Sequence, residues 1–96
     1  MSYEVKLNKR AIRQSRKLDP HIKEIVKRRL REGLTLDPFK YPLLSGEYSG
    51  LRRIAFSTPG GEFRAVYSVR EDKKRVIVVF VGNRENFYKE LQKYLR

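Results

Sequence analysis

The spacing of hydrophobic residues changes along this chain, and it predicts where strands and helices lie. Residues 3–7 alternate between apolar and charged side chains, which is typical of a half-buried strand. Asn8 suits the N-cap of a short helix over about residues 9–17. Asp19-Pro20 predicts the start of a second helix, because Asp caps helices and proline fits the first helical position.

The second helix is predicted to carry one apolar stripe and to end at Gly33. The stripe consists of Ile22, Ile25, Val26 and Leu30. Four cations lie off the stripe and are expected to face water: Lys23, Lys27, Arg28 and Arg31. The first third of the chain therefore predicts a strand and an antiparallel helix pair, whose apolar faces need a sheet to pack on.

The rest of the chain predicts that sheet. Residues 34–50 contain prolines and glycines with little periodicity and predict an ordered crossing loop, with Leu43 and Leu44 tucked in. Residues 51–57 and 62–69 alternate with a period of two around a Pro-Gly-Gly turn, as in a hairpin.

The last two predicted elements are a strand and a helix. After a polar turn at 70–74, residues 75–81 are apolar on both faces, as expected of a central strand covered on both sides. A final helix over about 86–95 would place Phe87, Leu91, Tyr94 and Leu95 on one face. The order β-α-α-β-β-β-α predicts one α+β domain over residues 1–96. Its antiparallel-rich sheet carries the helical hairpin on one face and a C-terminal helix.

Charge and composition narrow the possible functions. The 96 residues carry 23 Lys and Arg against 11 Asp and Glu, a net charge of +12, which favours a polyanionic partner such as nucleic acid. There is no cysteine, which excludes disulfides, thiolate catalysis and cysteine-ligated metals, and His21 is the only histidine. The sequence has no apolar run long enough to span a membrane, and we expect a cytoplasmic protein.

A set of arginines and one tyrosine is the strongest candidate for chemistry. Period-two geometry puts Arg53 and Arg64 on the sheet face opposite the core residues of their hairpin. Arg84 follows the last strand, and Tyr88 lies about one helical turn beyond it. Guanidinium groups bind phosphate through two parallel hydrogen bonds, so this set predicts a shallow anion-binding groove.

Each of these residues also has a purely structural interpretation. Arg53 could pair with Glu62 across the hairpin, and Arg64 could be an ordinary salt-bridged strand residue. Arg84 could cap carbonyl groups, and Tyr88 could be an aromatic residue at the edge of the core.

Three motifs, in this order, resemble the RelE/ParE toxin superfamily. They are L-x-G-x-x-x-G-L-R-R-I over residues 44–54, G-E-F-R-A-V-Y over 61–67 and V-G-N-R-x-x-F-Y over 81–88. The resemblance covers the whole chain and implies the toxin of a type II toxin–antitoxin system. The RelE branch cleaves mRNA in the ribosomal A site without a metal or cofactor, and the 2′-hydroxyl attack leaves a 2′,3′-cyclic phosphate.

The resemblance implies roles for particular residues. Arg64 and Arg84 would neutralise the transition state, Tyr88 would accept the 2′-hydroxyl proton, and Arg53 would position the phosphate. Arg52 and the four cations of the second helix would contact RNA, including ribosomal RNA. An acidic antitoxin protein would bind the toxin in a hetero-oligomer, with no membrane involved.

The sequence departs from the family pattern in two places. Ala55 stands where some RelE members carry a lysine, and the terminal motif lacks the histidine of some branches. Two other functions therefore stay open. One is inhibition of DNA gyrase, as in the ParE branch, and the other is RNA binding with little or no catalysis.

Overall fold

The four strands of the protein form one sheet. The structure is a computed structural model that describes residues 2–83 and 87–95. Its strands and helices follow in chain order: β1 (Glu4–Leu7), α1 (Lys9–Arg16), α2 (Pro20–Leu34), β2 (Arg52–Thr58), β3 (Gly61–Arg70), β4 (Arg75–Asn83) and α3 (Phe87–Leu95). The strands lie in the order β1-β4-β3-β2, with β1 parallel to β4 and the other pairs antiparallel. The predicted α+β fold is confirmed, with β4 inside the sheet.

The starts of both N-terminal helices are capped as the sequence predicts. Asn8 Oδ1 accepts a hydrogen bond from the Ala11 N–H at 2.9 Å, and Asp19 Oδ1 accepts one from the His21 N–H at 2.9 Å. Pro20 occupies the first turn of α2, where its missing N–H leaves no hydrogen bond unmade.

The main core lies between the helical hairpin and one face of the sheet. Val26, Leu30 and Leu34 of α2 are almost completely buried against β2 residues Ile54 and Phe56. Alternate residues of β3 also face this core, so the predicted two-residue period of the hairpin is confirmed. The other face of the hairpin strands therefore points away from α1 and α2.

A smaller core lies on that opposite face. Phe87 and Leu91 of α3 are fully buried against Val66 of β3 and Phe80 of β4. A β-bulge makes this arrangement possible: Val66 pairs with Phe80 but Tyr67 pairs with Val78, so β4 has one extra residue. The extra residue reverses the alternation of β4 and turns Phe80 towards α3.

The C-terminal end of α2 differs from its prediction. The helix continues through Gly33 to Leu34, because the fully buried Leu34 side chain keeps the last turn in the core. Gly33 has another role, since a Cβ there would lie 2.7 Å from Ile54 Cδ1. Glycine at this position lets α2 approach β2 closely.

Two apolar residues were also predicted to be more buried than they are. Ile25 is only half-buried and lies beside the outward cations of α2, because the inward stripe advances in steps of four residues from Ile22 to Val26 and Leu30. Leu43 is 59% exposed, whereas Leu44 packs on the smaller core.

Candidate functional site

Arg53 and Arg64 lie on the sheet face that α3 covers, as period-two geometry predicts. In the register of the β2–β3 pair, Arg53 is opposite Val66 and Ala55 is opposite Arg64. The two arginines are therefore diagonal neighbours on adjacent strands, at a typical separation of about 7–8 Å. Both are half-buried, which holds their guanidinium groups close to the sheet.

Arg64 forms an ion pair within its own strand. Its Nε donates to Glu62 Oε1 at 3.2 Å, and its side chain is only 16% exposed. Alternate residues of a strand point to the same face, so Glu62 lies beside Arg64 on the α3 side of the sheet and orients its guanidinium group. The salt-bridged interpretation of Arg64 therefore holds, and it is compatible with phosphate binding because the Nη donors face different directions from Nε.

Arg53 and Glu62 are not cross-strand partners in the register. Ser57 is the residue opposite Glu62, four positions along β2 from Arg53. Sequence reasoning treated Glu62 only as a partner for Arg53. Within β2 and β3, it is the only carboxylate on the face that carries Arg53 and Arg64.

Ala55 marks the open part of this face. Its methyl group is exposed directly across the strand pair from Arg64. Some RelE members carry a lysine at this position. In this chain the side chain is only a methyl group, which leaves room beside Arg64 and adds no charge at position 55.

The other two catalytic candidates lie outside the described part of the chain. This applies to Arg84 and to the side chain of Tyr88. Among the described residues near them in sequence, Gly82 of β4 pairs with Arg64, and Phe87 begins α3 on the same sheet face. The roles of Arg84 and Tyr88 therefore remain predictions.

Gly82 is a residue that sequence reasoning missed. A Cβ at this position would lie 3.2 Å from Phe80 Cε1 and 3.8 Å from Phe87 Cδ1. Glycine therefore leaves room for the Phe80 ring, which packs edge-to-face on Phe87 of α3 with 5.3 Å between the ring centroids. The V-G-N-R motif held this signal, since a glycine within a strand often marks a close approach.

Arg52 does not join Arg53 and Arg64. Its Nη1 donates to the carbonyl of Phe39 at 2.9 Å and to that of Tyr41 at 2.6 Å, and its guanidinium lies 5.3 Å from the Phe39 ring centroid. Successive strand residues point to opposite faces, so Arg52 secures the crossing loop on the helical-hairpin side.

The α2 cations also lie away from these arginines. The buried stripe of α2 packs on the opposite sheet face, so Lys27, Arg28 and Arg31 point outward on the far side of the molecule. Lys23 is half-buried, and Arg28 Nε lies 3.6 Å from Glu32 Oε1. These cations form a separate basic surface.

Residues 2–83 and 87–95 contain no group of three or more His, Asp or Glu placed to hold a metal ion. Among the helices in these ranges, none is long and apolar enough to cross a membrane.

Comparison with known families identifies the class of protein. Residues 5–92 match the family model for the ParE-like toxin of type II bacterial toxin–antitoxin systems. The chain belongs to this family, which confirms the resemblance seen in its three motifs. No curated protein matched the sequence.

Solved structures place the chain near RelE. A double arginine-to-alanine mutant of Escherichia coli RelE in the free state is 29% identical, with a TM-score of 0.73 and 100% coverage of both chains. The intact E. coli RelBE toxin–antitoxin complex is similar over 86% of this chain and 98% of the matched chain, with 28% identity and a TM-score of 0.67. The RelBE2 complex of Mycobacterium tuberculosis, at 24% identity, shares the fold, with a TM-score of 0.78 over 88% of this chain and 93% of the other.

Proposed function

We propose that this toxin inhibits translation by cleaving mRNA in the ribosomal A site, without a metal ion. The observation that carries the proposal is the pair Arg53 and Arg64 on adjacent strands, with the end of β4 beside Arg64. Full-length similarity to E. coli RelE supports the same reaction class.

The proposed reaction breaks one phosphodiester bond. The 2′-oxygen attacks the adjacent phosphorus and the bond from phosphorus to the 5′-oxygen breaks. The 5′-oxygen takes a proton from solvent, so a 2′,3′-cyclic phosphate and a 5′-hydroxyl result. Arg64 and Arg84 would neutralise the phosphorane, and Arg53 would hold the phosphate. Tyr88 would take the 2′-hydroxyl proton, because nearby arginines favour its phenolate form.

An acidic antitoxin is the proposed protein partner. Related toxins of this fold have been solved with RelB antitoxins, including E. coli RelE with a RelB peptide. The net charge of +12 suits an acidic protein that covers the basic surface. A neighbouring short reading frame that encodes such a protein would support this assignment.

Substitution of Arg64 tests the proposed reaction. We expect Arg64→Ala to lower the cleavage rate by about 10²–10³-fold, the usual effect of removing one transition-state donor. Arg64→Lys should recover only part of the rate, since an ammonium group lacks the planar fork. The measurement is primer extension on a translated mRNA, with and without ribosomes.

Arg70→Ala is the matched control, because Arg70 is an exposed arginine at the end of the same strand. It removes the same charge outside the site and should cleave like the wild type. Unchanged cleavage by Arg64→Ala, with circular dichroism showing an intact fold, would overturn the assignment of Arg64.

Gyrase inhibition is the second candidate, and the ParE-like description of the matching family favours it. In that case the purified protein would block DNA supercoiling by gyrase and leave mRNA intact. If neither activity appears, the third interpretation stands: an RNA-binding family member without catalysis, for which Ala55 is the structural reason.

A further inference from the structure

A basic cleft runs between α1 and α3, apart from Arg53 and Arg64. It has a volume of about 910 Å³ and lies along β4, where β1 has ended. Its charged lining consists of five cations and one acid: Arg10, Arg13, Arg16, Lys17, Lys93 and Glu90. The RNA contacts expected on α2 lie elsewhere, on the exposed face of that helix.

A regular row of cations runs along α1 to its C-cap residue, Lys17. Residues 10, 13 and 17 recur at i, i+3 and i+7, so they share one side of the helix, at axial steps of about 4.5 and 6 Å. Arg13 and Lys17 are exposed. Within the described residues, no carboxylate lies within 4.0 Å of either charged group. Such a row can contact successive phosphates of one strand.

The floor of the cleft disfavours a protein ligand. Phe80 and Val81 are only 1% and 4% exposed, so they offer a partner helix little apolar surface. The edge of β4 is closed to a partner strand as well, because Gln14 Oε1 accepts a hydrogen bond from the Val81 N–H at 2.7 Å. A cleft lined by five cations over this buried floor fits a sugar–phosphate backbone.

The cleft also adjoins the candidate catalytic residues. Asn83 lines the cleft at the end of β4, and its neighbour Gly82 is paired with Arg64. An RNA strand held at Arg64 can therefore continue past the end of β4 into the row of α1 cations.

We propose that the cleft between α1 and α3 binds the RNA backbone on one side of the cleavage point. The position of the cleft relative to the cleavage point rests on the proposed function, whereas RNA binding in the cleft can be tested alone. The probe is a fluorescent uridine oligomer with methylated 2′-hydroxyls, which binds but lacks the nucleophile for cleavage. Fluorescence anisotropy over a range of salt concentrations gives the dissociation constant and its salt dependence.

The test compares two double variants. Arg13→Ala with Lys17→Ala removes one arginine and one lysine, four residues apart, from the cleft. Lys27→Ala with Arg31→Ala removes the same charges at the same spacing from the exposed face of α2. We expect the first pair to weaken binding about tenfold or more and to reduce the salt slope by about 1.4, for two lost phosphate contacts on a single strand. The second pair should change both quantities less.

Two outcomes would overturn the proposal. Equal losses for both pairs would mean diffuse attraction by the whole basic surface. If the Arg13/Lys17 double variant loses as much affinity for oligoglutamate as for RNA, the cleft is a site for acidic peptides. If that pair melts earlier than the wild type, Arg13→Gln alone is compared with Lys27→Ala.

The result also separates this proposal from the proposed function. If the wild type cleaves mRNA but the two pairs bind the probe alike, only the cleft assignment fails. If the probe binds through the cleft but translated mRNA stays intact, only the proposed cleavage fails.

Discussion

At the residue scale, the site depends on what stands around Arg64. Glu62 holds its Nε, Gly82 lies across from it on β4, and Ala55 lies across from it on β2. Burial alone would leave the Arg64 side chain several rotamers. The ion pair with Glu62 fixes the position of its guanidinium group. Ala55 contributes only a methyl group at the position opposite Arg64.

Ala55→Lys should therefore raise the cleavage rate, by about tenfold. This is less than the 10²–10³ contributed by a preorganised donor, because a new lysine is not held in place. Ala55 is exposed, so the longer side chain fits without disturbing the core. Single-turnover cleavage on programmed ribosomes measures the effect.

Ala55→Gln is the control, since it adds a long polar side chain without charge. An equal gain from glutamine, or no gain from lysine, would contradict a role for positive charge at this position.

Tyr67 connects the sheet to the crossing loop. Its hydroxyl donates to the Pro38 carbonyl at 2.6 Å within the core. Burial raises the pKa of Tyr67 above the ordinary 10.0, against the opposing effect of nearby Arg52. The native state therefore keeps the proton at a pH where the unfolded chain has lost it.

Tyr67→Phe should lower the free energy of unfolding by about 1–3 kcal/mol at neutral pH, because the buried Pro38 carbonyl loses its donor. The raised pKa also makes Tyr67 destabilising as the pH rises above 10.0, with a limiting slope of about 1.4 kcal/mol per pH unit. Urea unfolding below and above that pH should show a weaker alkaline loss in the variant. An identical pH dependence in both proteins would contradict this account.

At the scale of elements, α3 has a thinner support than the helical hairpin. Among the residues whose side chains the structure describes, Phe87 and Leu91 bury α3 in a four-residue core with Val66 and Phe80, whereas the hairpin shares a core of twelve buried residues. The local free energy of opening should therefore be lower for α3 than for the rest of the fold. Since α3 carries Tyr88, its docking would control the proposed activity.

Leu91→Ala should release α3 while the sheet stays folded. Loss of a buried leucine costs about 2–5 kcal/mol, enough to exceed the local stability of one short helix. Native-state hydrogen exchange should show faster exchange over residues 87–95 and unchanged protection in β3 and β4.

Leu30→Ala makes the same chemical change in the larger core, where Leu30 is 1% exposed. It should lower protection throughout the protein. If Leu91→Ala also lowers protection everywhere, the two cores unfold as one unit.

At the scale of the whole molecule, three groups of cations lie on different surfaces of the described chain. Arg53 and Arg64 lie on the α3 face, the α2 cations lie on the far side, and the α1 row lies at the β4 edge between them. Helical periodicity alone predicts the α2 and α1 surfaces. The adjacency of the α1 row to Arg64 depends on how β4 connects the two regions.

The sequence determined much of the local structure. The caps at Asn8 and Asp19 and the two-residue period of the hairpin follow from short-range sterics and hydrogen bonding, which act within a few residues. The same period placed Arg53 and Arg64 on one face, and three motifs indicated the family. These features need no knowledge of distant contacts.

Tertiary structure decided the rest. Gly33 lies inside α2 because Leu34 has a core to enter, and Leu43 is exposed because the loop turns only Leu44 inward. The bulge in β4 turns Phe80 towards α3, which a strict alternation cannot predict. The cleft beside α1 likewise arises from packing between segments distant in sequence, whose free energy no local pattern records.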